Sequence, residues 1–254
     1  NRTQTMQLYF IRHAQSENNA ILERNAYKSE EGRHADPQIT AMGLEQAKLL
    51  AEFLAKTNPE AEIHGMDMQN RRGFGLTHLY CSLMERSVQT GVVLAERLGL
   101  PLVALPDLHE LGGIYLEELI EGELKEPILH GHTPDYFREH YPLLQFDEFP
   151  TEGWWRGGRE ARELWLPRAQ RLLTYLFERH GETDDHVAVI THAGFYSRLF
   201  QLIFRPDFSI TEEVPFNALI VFNNCAISRF DVIEGRLFFM YHNRAEFLPD
   251  EMIT

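Results

Sequence analysis

The 254-residue chain carries 38 acidic against 24 basic side chains, a formal net charge of −14, so on average it repels nucleic acid and anionic membrane, and neither is an expected partner. It would also repel a phosphorylated substrate, so any phosphate site has to be a local cluster of Arg and His set against the global field. No apolar run is long enough to span a bilayer, residues 1–5 lack the apolar stretch of a signal peptide, and Cys81 and Cys225 have no paired spacing, which argues against a disulfide framework or zinc ribbon and for a reducing cytoplasm.

A chain of this length commonly folds as one domain. Short apolar runs alternate with helical periodicity, which predicts an α/β fold over 1–254: a mainly parallel central sheet flanked by helices in three layers. Residues 6–11 read as a buried strand. Residues 40–56 read as a helix with Leu44, Ala47, Leu50, Phe53 and Leu54 on its inner face. Residues 76–81 form a second strand. Ser82-Leu83-Met84-Glu85 has capping-box spacing and predicts a helix running to Leu98, with Gly99 as its stop. A long helix is expected over 160–180, with Gly181 after it and a kink at Pro167. A β-branched strand at 187–191 leads into a helix at 195–204. Residues 226–232 and 237–241, joined by Glu234-Gly235, read as a hairpin.

Two stretches fit neither period. Residues 58–75 are polar and read as a surface excursion that includes an exposed Arg71-Arg72. Residues 112–158 are too long for a plain connection and are expected to form a cap or lid insertion. Within it, Trp154-Trp155 is expected to anchor the lid by burial rather than face a substrate. Arg156 and Arg159 are expected in solvent, with a second anionic group as the alternative. His130-Gly131-His132 is the closest His pair, but no carboxylate or Cys stands at ligand spacing, so an exposed loop is expected and no metal.

Three segments carry chemistry. An apolar strand ends in Arg12-His13, and in open α/β sheets ligands bind at the carboxyl ends of strands. That pair offers an imidazole nucleophile or base beside a guanidinium fork suited to phosphate; an ordinary loop is the alternative. A second strand delivers His192, followed by Ala193-Gly194 and a helix whose start supplies N–H groups and a positive dipole end. A third runs into a helix with Arg86 in its first turn. A cation is poorly placed there, which points to an anion, or else to an arginine turned into solvent.

Arg12-His13-Ala14 with Asn19, Ser82 with Arg86, Gln89 and Thr90, and Thr191-His192-Ala193-Gly194 resemble the histidine phosphatase superfamily, in its phosphoglycerate mutase-like branch. Thr40-Ala41-Met42-Gly43-Leu44-Glu45-Gln46-Ala47 is similar to the branch's Thr-x-x-Gly-x-x-Gln-Ala helix start, and Leu108-His109-Glu110 to the segment carrying its acid. The matches run in family order. The resemblance implies a phosphohistidine on His13, phosphate held by Arg12, His13, Asn19, Arg86, His192 and Ala193, and a catalytic set of His13, Glu110, His192, Arg12 and Arg86. It implies hydrolysis of a phosphorylated small molecule without cofactor or metal. His13 should be neutral, with its second ring nitrogen donating to a backbone carbonyl and its pKa lowered by the arginines. Glu110 could instead be an ordinary surface acid among Glu117, Glu118, Glu121 and Glu123.

The chain departs from the pattern in places. Ala14 stands where Gly is frequent, no Pro follows Ser82, and 243–247 lack the His common near the C-terminus. A mutase is the main rival, but the Leu-Asn-Glu-Arg signature is absent; the chain reads Leu108-His109-Glu110-Leu111. A non-catalytic phosphate-binding scaffold is the rival from another class, and the intact His and Arg set argues against it.

Overall fold

A computed structural model describes residues 4–26, 28, 31–120, 123–204 and 220–254, giving only the backbone for 118–120 and 123–125. The chain runs β1 (Thr5–Arg12), α1 (Glu17–Arg24), α2 (Ala41–Ala55), β2 (His78–Cys81), α3 (Glu85–Leu98), β3 (Leu102–Ala104), β4 (Glu118–Ile120), β5 (Glu123–Lys125), α4 (Pro134–His140), β6 (Leu144–Gln145), α5 (Trp165–His180), β7 (His186–Thr191), α6 (Ala193–Phe204), β8 (Ile227–Ile233) and β9 (Arg236–Arg244). Seven strands form one sheet in the order β6-β3-β2-β7-β1-β8-β9. The first five are parallel; β8 and β9 add an antiparallel edge. Helices flank the sheet, α2 packing on α3 and α5 on α6. This is the α/β, mainly parallel architecture the sequence predicts. With both faces covered, β1 is mainly apolar: Met6, Leu8, Tyr9, Phe10 and Ile11 are all fully buried. The adjacent strands β2, β7 and β1 deliver Ser82, His192 and His13 at one sheet edge.

Several local expectations need correction. Leu44 is 38% exposed and Phe53 half-buried, while Gly43, Gln46 and Ala51 occupy the inner face of α2. The helix is turned this way because Gly43 abuts the Gln15 carbonyl, where any Cβ would clash. Pro167 does not kink α5. It lies in the first turn, where a missing N–H leaves no helical bond unmade. The capping box at Ser82 does not form: α3 opens at Glu85 behind Met84, with no side-chain cap. The Ser82 hydroxyl is engaged by His192 instead. In the 58–75 excursion Arg71 and Arg72 are exposed as expected, yet Asn70 and Phe74 are buried. Asn70 Nδ2 donates to the Tyr9 hydroxyl at 2.6 Å, and its Oδ1 accepts from Tyr241 at 2.7 Å, lashing the loop to β1 and β9.

The C-terminal hairpin turns at Glu234 (φ 50°) and Gly235 (φ 71°), the left-handed pair that a two-residue type I′ turn demands. Residues 112–158 hold the β4–β5 hairpin and α4, then rejoin the sheet through β6 on β3. Trp155 lies over Gly113, with its ring 4.9 Å from His109, and Trp154 lies against Gly131. The pair therefore anchors this segment to its own root. Residues 1–3 and Glu121 lie outside the described residues. Among the described residues no helix is long and apolar enough to cross a membrane.

Candidate active site

The loop after β1 is held from four directions. His13 N–H donates to Thr191 O at 3.0 Å, tying it to β7. Ala14 N–H donates to Thr90 Oγ1 (3.0 Å), whose hydroxyl in turn donates to Arg86 O (2.7 Å). Gln15 N–H donates to Gln46 Oε1 at 2.8 Å. Asn224 Nδ2 donates to His13 O at 2.8 Å. Thr40, Gly43, Gln46 and Thr90 thus serve the loop: Thr40 caps α2, Gly43 permits contact with Gln15, and the others bond the loop backbone.

His13 is 3% exposed. Its Nδ1 lies 2.7 Å from Ala14 O, which makes Nδ1 the protonated nitrogen, so Nε2 presents a lone pair and accepts from Arg86 Nε at 3.1 Å. Burial, then the charges of Arg86 and Arg12, hold the His13 pKa well below its ordinary value, so the ring is neutral. Arg12 donates to Phe222 O at 2.7 Å. Arg86 Nη1 stands 3.8 Å from Asp36 Oδ1. Burial raises the Asp36 carboxyl to about 6, against the opposing pull of Arg86 and His132. Asn19 Oδ1 accepts from Ser16 N (3.1 Å) and Asn224 Nδ2 (3.2 Å), which leaves the Asn19 amide nitrogen as the donor it can offer an anion.

Arg12, His13, Asn19, Arg86 and Glu110 line one cavity of about 170 Å³, together with Arg33 and Tyr115. His192 and Ala193 are not part of that lining. His192 is fully buried behind His13, with ring centroids 5.1 Å apart. Its Nε2 meets Ser82 Oγ at 2.8 Å, and its Nδ1 has no partner. Burial, followed by Arg86 and His13, keeps it neutral as well. Ala193 opens α6, but the amides beyond it are occupied: Gly194 N–H donates to Glu110 Oε2 (3.1 Å) and Phe195 N–H to Oε1 (2.8 Å). Glu110 is therefore a half-buried cavity residue capping α6, not a surface acid.

A network with no sequence signature holds Glu110 in place. Arg168, 2% exposed, donates to His109 O (2.7 Å) and Asp107 O (2.9 Å). It makes a bidentate pair with Glu160, both bonds 2.7 Å, and its guanidinium lies 4.2 Å from the Phe195 ring. Burial pushes the Glu160 carboxyl up, but His109 and Arg168 outweigh it and hold the group down at about 2.

Two groups of potential metal ligands occur among the described residues: His78, His180 and Asp185 at the amino ends of β2 and β7, and Asp36, Glu85 and His132 beside Arg86. The second corrects the expectation that His132 stands in an exposed loop, since its Nε2 pairs with Glu85. Glu85 also accepts from the Tyr136 and Tyr141 hydroxyls, so it docks 112–158 onto the start of α3. In each group two of the three ligands are bonded to one another, His180 Nδ1 to Asp185 Oδ2 at 2.8 Å and His132 Nε2 to Glu85 Oε2 at 2.5 Å.

With this geometry in place, comparison with known proteins is informative. No curated protein matches the chain significantly. Among solved structures, a mycobacterial glucosyl-3-phosphoglycerate phosphatase superposes with a TM-score of 0.56 at 18% identity, covering 95% of this chain and 100% of that one. A putative α-ribazole-5′-P phosphatase from Escherichia coli gives 0.56 at 18% identity, covering 94% and 97%. A phosphoserine phosphatase from Entamoeba histolytica gives 0.52 at 14%, covering 96% and 100%. At these identities the likeness establishes the fold. The family pattern described as histidine phosphatase superfamily (branch 1) matches residues 8–66 and 68–244, nearly the whole chain, and the chain belongs to that superfamily as an enzyme of the phosphatase class.

Proposed function

We propose that this protein hydrolyses a phosphorylated small molecule through a phosphoryl group carried on His13, with no metal required. The observation that carries the proposal is the neutral His13 ring, anchored at Nδ1 by Ala14 O, with its Nε2 lone pair facing Arg86 in a cavity that also holds Arg12, Asn19 and Glu110. As a phosphate ester enters, the Arg86 guanidinium passes from Nε2 to a phosphoryl oxygen and frees the lone pair. Nε2 then attacks phosphorus in line, the P–O bond to the alcohol breaks, and Glu110 supplies the proton the departing oxygen needs. In the second step Glu110 takes a proton from water as the water oxygen attacks phosphorus. The N–P bond breaks and its electron pair returns to Nε2. Arg12, Asn19 and Arg86 are assigned to the phosphoryl oxygens, the two guanidiniums supplying the positive wall that phosphoryl transfer mainly needs, and neutral His192, from its unbonded Nδ1, and the adjoining Ala193 backbone are assigned as uncharged donors behind them. Residues 112–158 are assigned as a cap on a single domain spanning 1–254, since Tyr115 from that segment lines the cavity.

Inorganic phosphate release from alkyl and nitrophenyl phosphates is expected to persist after exhaustive chelation, with phosphoglycerate isomerisation negligible. Loss of activity that a divalent ion restores would overturn the metal-free wall. Isomerisation faster than phosphate release would favour the mutase.

Glu110→Gln tests the acid. An alkoxide leaves poorly without a proton and a nitrophenolate hardly needs one. Single-turnover phosphorylation of His13 by an alkyl phosphate should therefore slow by about 10²-fold or more, and by nitrophenyl phosphate by less than about tenfold. Equal losses on both substrates would remove Glu110 from that role.

A further inference from the structure

The amino edge of the sheet, opposite the phosphate cavity, carries a second cluster of chemically active side chains. His78 opens β2, His180 ends α5, and Asp185 stands in the turn that leads into β7. Four residues of β2 and six of β7 separate this edge from Ser82 and His192, about 13–20 Å of extended chain. His180 is buried, while His78 and Asp185 are half-buried and open to solvent. The Asp185 carboxylate reaches both rings: Oδ2 lies 2.8 Å from His180 Nδ1, and Oδ1 lies 3.8 Å from His78 Nδ1. One donor atom from each of the three residues falls within 4.8 Å of the other two.

The surroundings suit a metal ion. Burial holds the His180 pKa down, so its ring is neutral. Burial pushes the Asp185 carboxyl up, but hydrogen bonds from His180 and Thr183 outweigh it and keep the group ionised. Neutral imidazole and ionised carboxylate are the forms that bind metal. The Tyr80 hydroxyl, 2.9 Å from His180 Nε2, serves either state of that ring. When Nδ1–H donates to Asp185, Nε2 accepts from Tyr80; when Nδ1 binds a metal, Nε2–H donates to Tyr80. The Thr77 hydroxyl is equally adaptable. It lies 2.9 Å from His78 Nδ1 and 3.2 Å from His186 O, so it can turn its proton to the carbonyl and leave Nδ1 free. Arg179 acts on the His180 charge and weakens any cation's hold, an effect that Asp185 opposes. The group of Asp36, Glu85 and His132 is placed differently, because Arg86 already stands 3.8 Å from Asp36 Oδ1 as its counter-cation.

We propose that His78, His180 and Asp185 form a zinc site, with Nδ1 of each histidine and one Asp185 oxygen as ligands and a water molecule completing the tetrahedron. Zinc holds such ligands about 2.0–2.2 Å away, which sets neighbouring donor atoms about 3.3 Å apart. The separations of 2.8 and 3.8 Å bracket that value, so small side-chain shifts suffice. Two imidazoles with one carboxylate favour zinc over magnesium or calcium, which take oxygen donors. The ion would tie the end of α5 and the following turn to β2. Its role is to stabilise the fold, far from His13. The metal-free chain keeps the bond between His180 and Asp185, so neither folding nor hydrolysis depends on the ion.

The test is a titration of the untagged, chelator-stripped protein with Zn²⁺ by calorimetry, and with Co²⁺ by visible absorption. One Zn²⁺ per chain should bind with a Kd of about 10 µM or tighter. At a hundredfold that Kd, Zn²⁺ should raise Tm by about 5 °C, and Mg²⁺ at the same concentration should not. Bound Co²⁺ should show the intense visible bands of tetrahedral coordination. His78→Gln and Asp185→Asn should each weaken Zn²⁺ binding at least about tenfold, whereas His132→Gln, in the other group, should leave it unchanged. Metal-free melting of each variant shows whether it is folded, and the two ligand variants provide independent readings. Binding no tighter than about 10 µM would overturn the site. So would an affinity that survives both ligand variants, one that is lost with His132→Gln, or the weak Co²⁺ spectrum of octahedral coordination.

Discussion

His13→Ala should lower kcat for any phosphomonoester by at least about 10⁴-fold, the scale on which a covalent nucleophile is lost, with the fold retained. The side chain makes one backbone hydrogen bond and one bond to Arg86, while the loop is held independently by its own backbone bonds to Thr191, Thr90, Gln46 and Asn224. Circular dichroism and a denaturant curve separate the two effects. The same variant should change the pH dependence of stability in a defined direction. The folded pKa of His13 lies below that of the unfolded chain, so the unfolded state binds more protons as pH falls below about 6.5. Stability is fully present above that pH and lost below it. Without His13 the acid-side loss should be shallower, leaving the His192 contribution, which has the same sign. In the wild type the acid limb of kcat/KM attributable to His13 should lie well below 6.5. Turnover by the Ala variant near the wild-type rate would remove His13 as nucleophile.

Arg86→Ala should cost roughly 10²–10³ in rate, as when one preorganised donor to a developing negative charge is removed. Arg86 donates from Nε to His13 Nε2, the nitrogen proposed to attack, while its Nη1 faces Asp36. On the proposed mechanism one planar group spans nucleophile and phosphoryl site, and Arg86→Lys, with a single rotating ammonium, should recover only part of the loss. The Ala variant should fold, because Asp36, already raised to about 6 by burial, takes up a proton once its partner is gone. A fully active Lys variant would reduce Arg86 to a diffuse charge.

The elements that deliver the site were readable because each is a short apolar strand ending in a marked residue: Ile11-Arg12-His13, Cys81-Ser82 and Thr191-His192. Parallel pairing of β1, β7 and β2 does the rest, since it sets their carboxyl ends at one edge. The family motif around Thr40 is visible as a pattern, and Ala47, Leu50 and Leu54 lie on the inner face as the periodicity predicts, but Leu44 does not. Apolar periodicity favours Leu44, while contact with the Gln15 loop turns Gly43 and Gln46 inward. Ser82 looked like a helix cap because its spacing to Glu85 fits one; its hydroxyl goes to His192, a partner 110 residues away. Arg168 sits on the buried face of α5 among Ala169, Leu172 and Leu173, where nothing in the periodicity distinguishes it from a solvated arginine. Asn224, Arg33 and Tyr115 acquire their places only through the packing of loops, and no local pattern encodes that.

The central claim is that the phosphoryl group rests on His13, and rapid chemical quench with a ³²P-labelled phosphate ester measures this directly. Mixing enzyme with substrate and quenching in alkali on the millisecond scale should trap label on the protein. The adduct should be acid-labile, map to the peptide containing His13, appear no more slowly than the first turnover and be absent from His13→Ala. A wild-type enzyme that releases phosphate while no label above the His13→Ala background is trapped at any time, or whose label is acid-stable or maps to another residue, would contradict the account.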